Sequence, residues 1–306
     1  MNQYKLGPWF VTIAALLWAA DAPFRQFLAK ELSAPTIVLM EHMVIAALVF
    51  LFLGKYLGEL RNLNLREWGS VIFIALGGSA LATIFFTRSF MEFNFQPTVP
   101  ILLQKVQPLF AMLLAAIVLR EKLVKNFWIW AAGGIFGAYL LTYPDARVQD
   151  FSLSGRNLGA LLALGAAFFW GGSTVFGRLV LQKISFQAMT AVRFLGALVF
   201  LIIIQLYYGR MSEISTATGK DWLFVLIIAV VAGFVSLFIY YRGLKFTSAS
   251  IATICELAFP LAAVIVNWIV LDSKLSAIQI AGGLGLLIAV TRLSLINMKE
   301  NAILHV

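Results

Sequence analysis

The feature that most constrains this chain is a repeated one: apolar runs of about 20 residues follow one another from Leu6 to Ala289, separated by short segments carrying charge, proline or glycine. A run of that length, wound as a helix, crosses the hydrocarbon core of a bilayer with all its backbone groups satisfied internally. Bounding each run by charges, Pro or Gly predicts spans at residues 7–28, 34–54, 68–88, 97–119, 126–144, 156–180, 186–208, 222–242, 248–271 and 276–295. The remainder makes connectors, the longest being Lys55–Glu67, Asp145–Arg156 and Gly209–Asp221. A β-barrel is excluded because barrel strands alternate apolar and polar residues.

Composition agrees, since 61% of the residues are hydrophobic and 12% charged, far from the balance of soluble domains. The net charge of +9 comes from Lys and Arg scattered between the runs, which is how membrane helices are flanked and not how nucleic acid is bound. The single cysteine, Cys255, permits no intramolecular disulfide, and His42 and His305 supply no metal site. Ala20-Asp21-Ala22 after the first run resembles a signal-peptide cleavage site. A similar segment recurs mid-chain, so that reading is rejected.

The chain matches itself at a shift near 152. Leu17-Trp18 falls on Phe169-Trp170, Pro108 on Pro260, Lys122-Leu123 on Lys274-Leu275, and Ala132-Gly133-Gly134 recurs as Ala281-Gly282-Gly283. The two units are residues 1–150 and 151–306. Five spans per unit is odd, so the second unit enters the membrane from the opposite side. The expected fold is an all-α polytopic membrane protein of ten transmembrane helices arranged as two inverted five-helix repeats, a build that places a site at the midplane between the halves. With the amino terminus inside, thirteen Lys and Arg fall on inner segments and eight on outer ones. That bias predicts two cytoplasmic termini and an extracytoplasmic Asp145–Arg156 segment in a bacterial inner membrane.

Three motifs in this order resemble the drug/metabolite transporter superfamily, in particular its ten-helix EamA-type exporters. They are the tryptophan followed by small residues, Trp18-Ala19-Ala20 and Trp170-Gly171-Gly172-Ser173, and the proline-centred fourth helix closing on Arg120-Glu121-Lys122-Leu123 and Asp272-Ser273-Lys274-Leu275. The third is the run Tyr241 to Ser250 before the ninth span. The resemblance covers nearly the whole chain and implies small-molecule transport, commonly export of amino acids or similar metabolites, without a bound cofactor. Where the family often has an arginine in the second helix of each half, this chain has Arg193 in one and Glu41 in the other.

An ionisable side chain in mid-span costs about 2.5–3.5 kcal/mol on insertion scales and needs a partner or a watery cavity. Glu41, Lys105, Arg193 and Glu256 are the central ones, with Asp21 less deep. Neutralisation within each half predicts the pairs Glu41–Lys105 and Arg193–Glu256, for helix association or proton coupling. Thr253, Glu256, Pro260 and Asn267 share one helical face, expected to line the cavity, and Pro260 should free a carbonyl there. Gln104 and Gln107 repeat that wall in neutral form, or bond between helices. Asp21 either reaches the cavity or pairs with Arg25 near the surface. His42 is a candidate proton relay or a plainly hydrogen-bonded residue. Trp18 and Trp170 are either cavity walls for an organic substrate or packing.

No phosphate loop, metal cluster or activated nucleophile is present in the sequence. The expected function is therefore a secondary active transporter exporting small polar metabolites such as amino acids by alternating access. Alternatives are a multidrug or organic-cation exporter, an uptake carrier and, from a different class, a channel-like or structural membrane protein. The expected partners are a small-molecule substrate and the lipid bilayer.

Overall fold

The computed structural model describes residues 3–118, 120, 122–148, 152–247 and 249–304. The motif residues Glu121 and Ser248, and His305, lie outside these. Among the described residues eight helices are long and apolar enough to cross a membrane, and two shorter apolar ones complete the set. They are α1 (Leu6–Glu31), α2 (Ala34–Phe52), α3 (Leu65–Glu92), α4 (Thr98–Val118), α5 (Phe127–Thr142), α6 (Gly155–Val180), α7 (Phe186–Tyr207), α8 (Gly219–Lys245), α9 (in two pieces, Ala249–Cys255 and Ala258–Leu271) and α10 (Ala277–Asn297).

Local chemistry starts and bends these helices in the same way in both halves. Asn64 and Glu67 form a capping box before α3, as Thr218 and Asp221 do before α8, each satisfying two orphan N–H groups at a helix start. Beyond the box, α3 widens into a π-helical stretch at Phe73–Leu81 and α8 into one at Ile228–Val235. Pro108 lies four residues after Gln104 and Pro260 four after Glu256, so neither Gln104 nor Glu256 can bond its carbonyl in the α-helical register. The expected free carbonyls do not result. Gln107 N–H takes that of Gln104 and Phe259 N–H takes that of Glu256, at 3.1 Å, by local tightening of each helix into a three-residue turn.

Helix α1 is also broken. Ala19 and Ala20 bond back three residues to Leu16 and Leu17, and a second helix starts at Asp21. The fifth helices of the two halves meet at Gly137 and Gly282, where a Cβ on Gly137 would stand 2.7 Å from the Gly282 carbonyl oxygen. Only glycine permits that backbone approach.

Helices α2 and α7, which correspond under the repeat, pack antiparallel and are fastened at both ends. At one end Glu59, in the turn after α2, accepts from Ser185 N (2.6 Å) and Ser185 Oγ (2.8 Å), the residue that caps α7. At the other, Glu213, in the turn after α7, accepts from Ser33 N (2.6 Å), Ser33 Oγ and Thr36 Oγ1 (2.6 Å) at the start of α2. Burial works against the charge of Glu213, but the bonds from Ser33 and Thr36 outweigh it and hold the carboxyl below its usual range. The serines are 185 − 33 = 152 positions apart and the glutamates 213 − 59 = 154, so the duplication has put one contact on each face of the bundle.

Candidate functional site

A cavity lies between the two halves, walled by α1, α2, α3 and α4 from one and α6, α7, α8 and α9 from the other. Trp18, Asp21, Glu41, His42, Gln104, Lys105, Trp170, Arg193 and Glu256 all line it. Asn267 does not. The break at Glu256–Leu257 ends the helical face that was to carry it inward, and Asn267 is instead fully buried beside Thr98, 3.4 Å from its hydroxyl. Thr253 stands in the first piece of α9, and its side chain lies outside the described residues.

The ion pairs differ from those expected. Glu41 is bonded to Arg25 and not to Lys105: Arg25 Nη2 donates to Glu41 Oε2 at 2.9 Å. The same guanidinium holds Asp21 through Nε at 2.6 Å and Nη2 at 2.7 Å, and its Nη1 reaches Thr87 at 3.1 Å. Arg25 is only 3% exposed, so the Asp21–Arg25 pair is no surface pair. The break at Ala19–Ala20 starts a new helix at Asp21, and that helix buries Arg25 on its inner face. One cation thus serves two carboxylates.

Arg193 is likewise not paired with Glu256. Its Nε donates to Ser79 Oγ at 2.6 Å, Nη1 to Tyr241 OH at 2.8 Å and Nη2 to the Gly78 carbonyl at 2.8 Å. The same Gly78 oxygen accepts from Trp170 Nε1 at 2.9 Å. Gly78 sits in the π-helical stretch of α3, whose altered register opens a carbonyl to side chains that an ordinary helix would keep for itself. Glu256 accepts from Tyr240 OH at 2.9 Å and from Gln107 Nε2 at 3.1 Å. Lys105 Nζ lies 4.7 Å from the centre of the Phe259 ring, a cation–π contact, with no carboxylate oxygen within 4.0 Å among the described residues. It still acts electrostatically on Glu256.

The aromatic side chains form the walls. Trp18 packs against Tyr240 at 5.4 Å and edge-on to Phe259 at 6.4 Å, and Trp170 packs edge-on to Phe86 at 5.2 Å. His42 donates from Nδ1 to the Val38 carbonyl at 2.9 Å and is 2% exposed. A carbonyl can only accept, so Nδ1 carries the proton and Nε2 presents a lone pair.

Sequence reading missed Arg25 as the hub, and missed Tyr240, Tyr241 and Ser79 as partners. The available signal was the Tyr240-Tyr241 pair at the inner end of an apolar span, since a buried phenol seeks a hydrogen-bond partner.

Fold and site together define a membrane transporter built from two repeated five-helix halves around a shared cavity that both halves line. The EamA-like transporter family matches residues 5–143 and again 157–295, and the chain belongs to that family, within the drug/metabolite transporter superfamily. It is an integral membrane transporter and not an enzyme. Similar curated proteins include the riboflavin transporter ImpX of Fusobacterium nucleatum, 32% identical over 302 residues (97% of this chain and 100% of that one). A riboflavin transporter of Vibrio cholerae is 30% identical over 185 residues (58% and 55%), and protein PecM of Dickeya dadantii 26% over 238 residues (76% and 74%). A solved crystal structure superimposes with a TM-score of 0.64 at 15% identity, covering 94% of this chain and 95% of its own, a likeness of fold alone.

Proposed function

We propose that this transporter carries an uncharged, planar heteroaromatic metabolite with a hydroxylated tail, riboflavin being the reference compound, by alternating access between its two halves. The carrying observation is the balance of the cavity. Arg25, Lys105 and Arg193 face Asp21, Glu41 and Glu256, three charges of each sign summing to zero, between the rings of Trp18, Trp170, Phe86 and Phe259. Such a lining offers stacking faces and hydrogen bonds with no net charge, and suits a flat neutral ring better than an ion. Two relatives named as riboflavin transporters point the same way.

An amino acid would need one open cation for its carboxylate and one open carboxylate for its ammonium. Arg25 and Arg193 are already engaged, which leaves Lys105 and Glu256 as the pair that an amino acid would have to use. Glu256, on neutral partners, is the carboxylate placed to exchange a proton during the cycle. The membrane is a bacterial inner membrane, with both termini cytoplasmic.

Counterflow into proteoliposomes tests the reading. Preloaded riboflavin should accelerate entry of labelled riboflavin, and amino acids or quaternary ammonium compounds in excess should leave that exchange unchanged. Exchange without trans-stimulation identifies a channel, and competition by amino acids with no flavin exchange returns the site to Lys105 and Glu256.

A further inference from the structure

His42 is a cavity-lining residue with a hydrogen-bond acceptor left open. Its Nδ1–H is spent on Val38, its Nε2 is buried without a partner among the described residues, and Phe194 packs edge-on to the ring at 5.5 Å, fixing its plane. A buried, unpartnered acceptor carries a free-energy cost unless something donates to it. Among the described residues no carboxylate or hydroxyl is bonded to Nε2.

The neighbours of the ring narrow what that donor is. Arg193 and Arg25 both act electrostatically on His42. Of the five N–H groups of a guanidinium, Arg193 uses three, on Ser79, Tyr241 and Gly78. Arg25 uses four, two on Asp21 and one each on Thr87 and Glu41. Both guanidiniums are committed to protein groups and neither is bonded to Nε2 among the described residues, so the donor to that lone pair is sought on the ligand, and the ring system of a flavin carries one N–H, that of its imide.

We propose that His42 Nε2 accepts the imide N–H of the substrate's pyrimidine-dione ring and so selects heterocycles that carry an imide. This rests on the flavin reading above and adds the edge by which the ring is recognised. It makes His42 a specificity-determining residue, and it explains a mid-membrane histidine that pairs with no charge.

The test is equilibrium binding to the purified full chain in detergent, read by quenching of the flavin's own fluorescence, with riboflavin and its N3-methyl derivative as the two probes. Wild type should bind riboflavin about tenfold more tightly than the methylated compound, the loss expected for one buried hydrogen bond. His42→Phe keeps the ring and its contact with Phe194 but not the acceptor. It should lower riboflavin affinity to the level of the N3-methyl compound and leave the affinity for that compound unchanged. Equal weakening of both ligands by His42→Phe, or equal affinity of wild type for both, overturns the assignment. Should His42→Phe not fold, the wild-type ratio decides alone: a tenfold preference supports the proposal and a ratio near one overturns it. Failure of wild type to bind riboflavin at all would instead remove the flavin reading and this inference with it, an outcome distinct from loss of discrimination.

Discussion

The first half places four charged side chains around the cavity and the second two, and the halves partner them in different ways. In the first half Asp21, Arg25 and Glu41 are bound to one another. In the second, Arg193 and Glu256 are held by neutral groups, a serine, two tyrosines, a glutamine and a backbone carbonyl. A closed ion network trades desolvation against mutual attraction and has little left for a ligand. Charges held by dipoles keep their field and part of their hydrogen-bonding capacity. The Asp21–Arg25–Glu41 network therefore bears mainly on whether the protein folds, and Arg193 and Glu256 on what it moves.

Arg25→Ala is the strongest way to break that contrast. It leaves two buried carboxylates without their cation, a loss of about 3–5 kcal/mol for a buried pair, and should abolish the monodisperse folded peak in detergent chromatography. Normal yield would show that the network is dispensable. Next in size is Glu256→Gln, which keeps shape and most hydrogen bonding. Folded yield should hold while flavin counterflow falls at least about tenfold, the loss of one interaction worth 1.4 kcal/mol or more in the cycle. A wild-type rate would place Glu256 with the structural charges.

Trp18→Leu sharpens the comparison at the walls. Loss of an aromatic face should weaken riboflavin binding by roughly threefold to tenfold without changing the preference for the imide over its methylated form. The smallest effect belongs to Glu213→Gln. Because the folded carboxyl is held below its ordinary value of 4.5, its contribution is present above that pH and fades as pH falls through the lower folded value. The site is largely open to solvent, so the variant should melt only about 1–2 °C below wild type at pH 7. The gap should close in acid. A gap that widens in acid would contradict the bonds from Ser33 and Thr36.

Much of the fold could be read from the chain, because the bilayer demands long apolar runs and duplication repeats them with little drift. What failed to show was partner choice. Glu41 was matched to Lys105 by depth and repeat symmetry, whereas the partner, Arg25, depends on a helix break at Ala19–Ala20 that two alanines do nothing to announce. The π-helical stretches of α3 and α8 are invisible for a related reason: in a segment apolar on every side, a change of register leaves no mark on the hydrophobic pattern. Asn267 was aligned along one ideal helix, and the helix turns at Glu256 before reaching it.

The paired Glu–Ser contacts at the two ends of α2 and α7 also bear on how such a molecule can move. Two antiparallel rods riveted at both tips resist sliding past one another and behave as a single strut. Glu41 and His42 belong to one rod and Arg193 to the other, so these cavity groups travel together. The tryptophans and Phe259 belong to α1, α6 and α9, outside the strut. In the alternating-access cycle proposed above the strut would be the axle, keeping its hold on one edge of the cargo while the aromatic panels swing about it to expose first one side of the membrane and then the other.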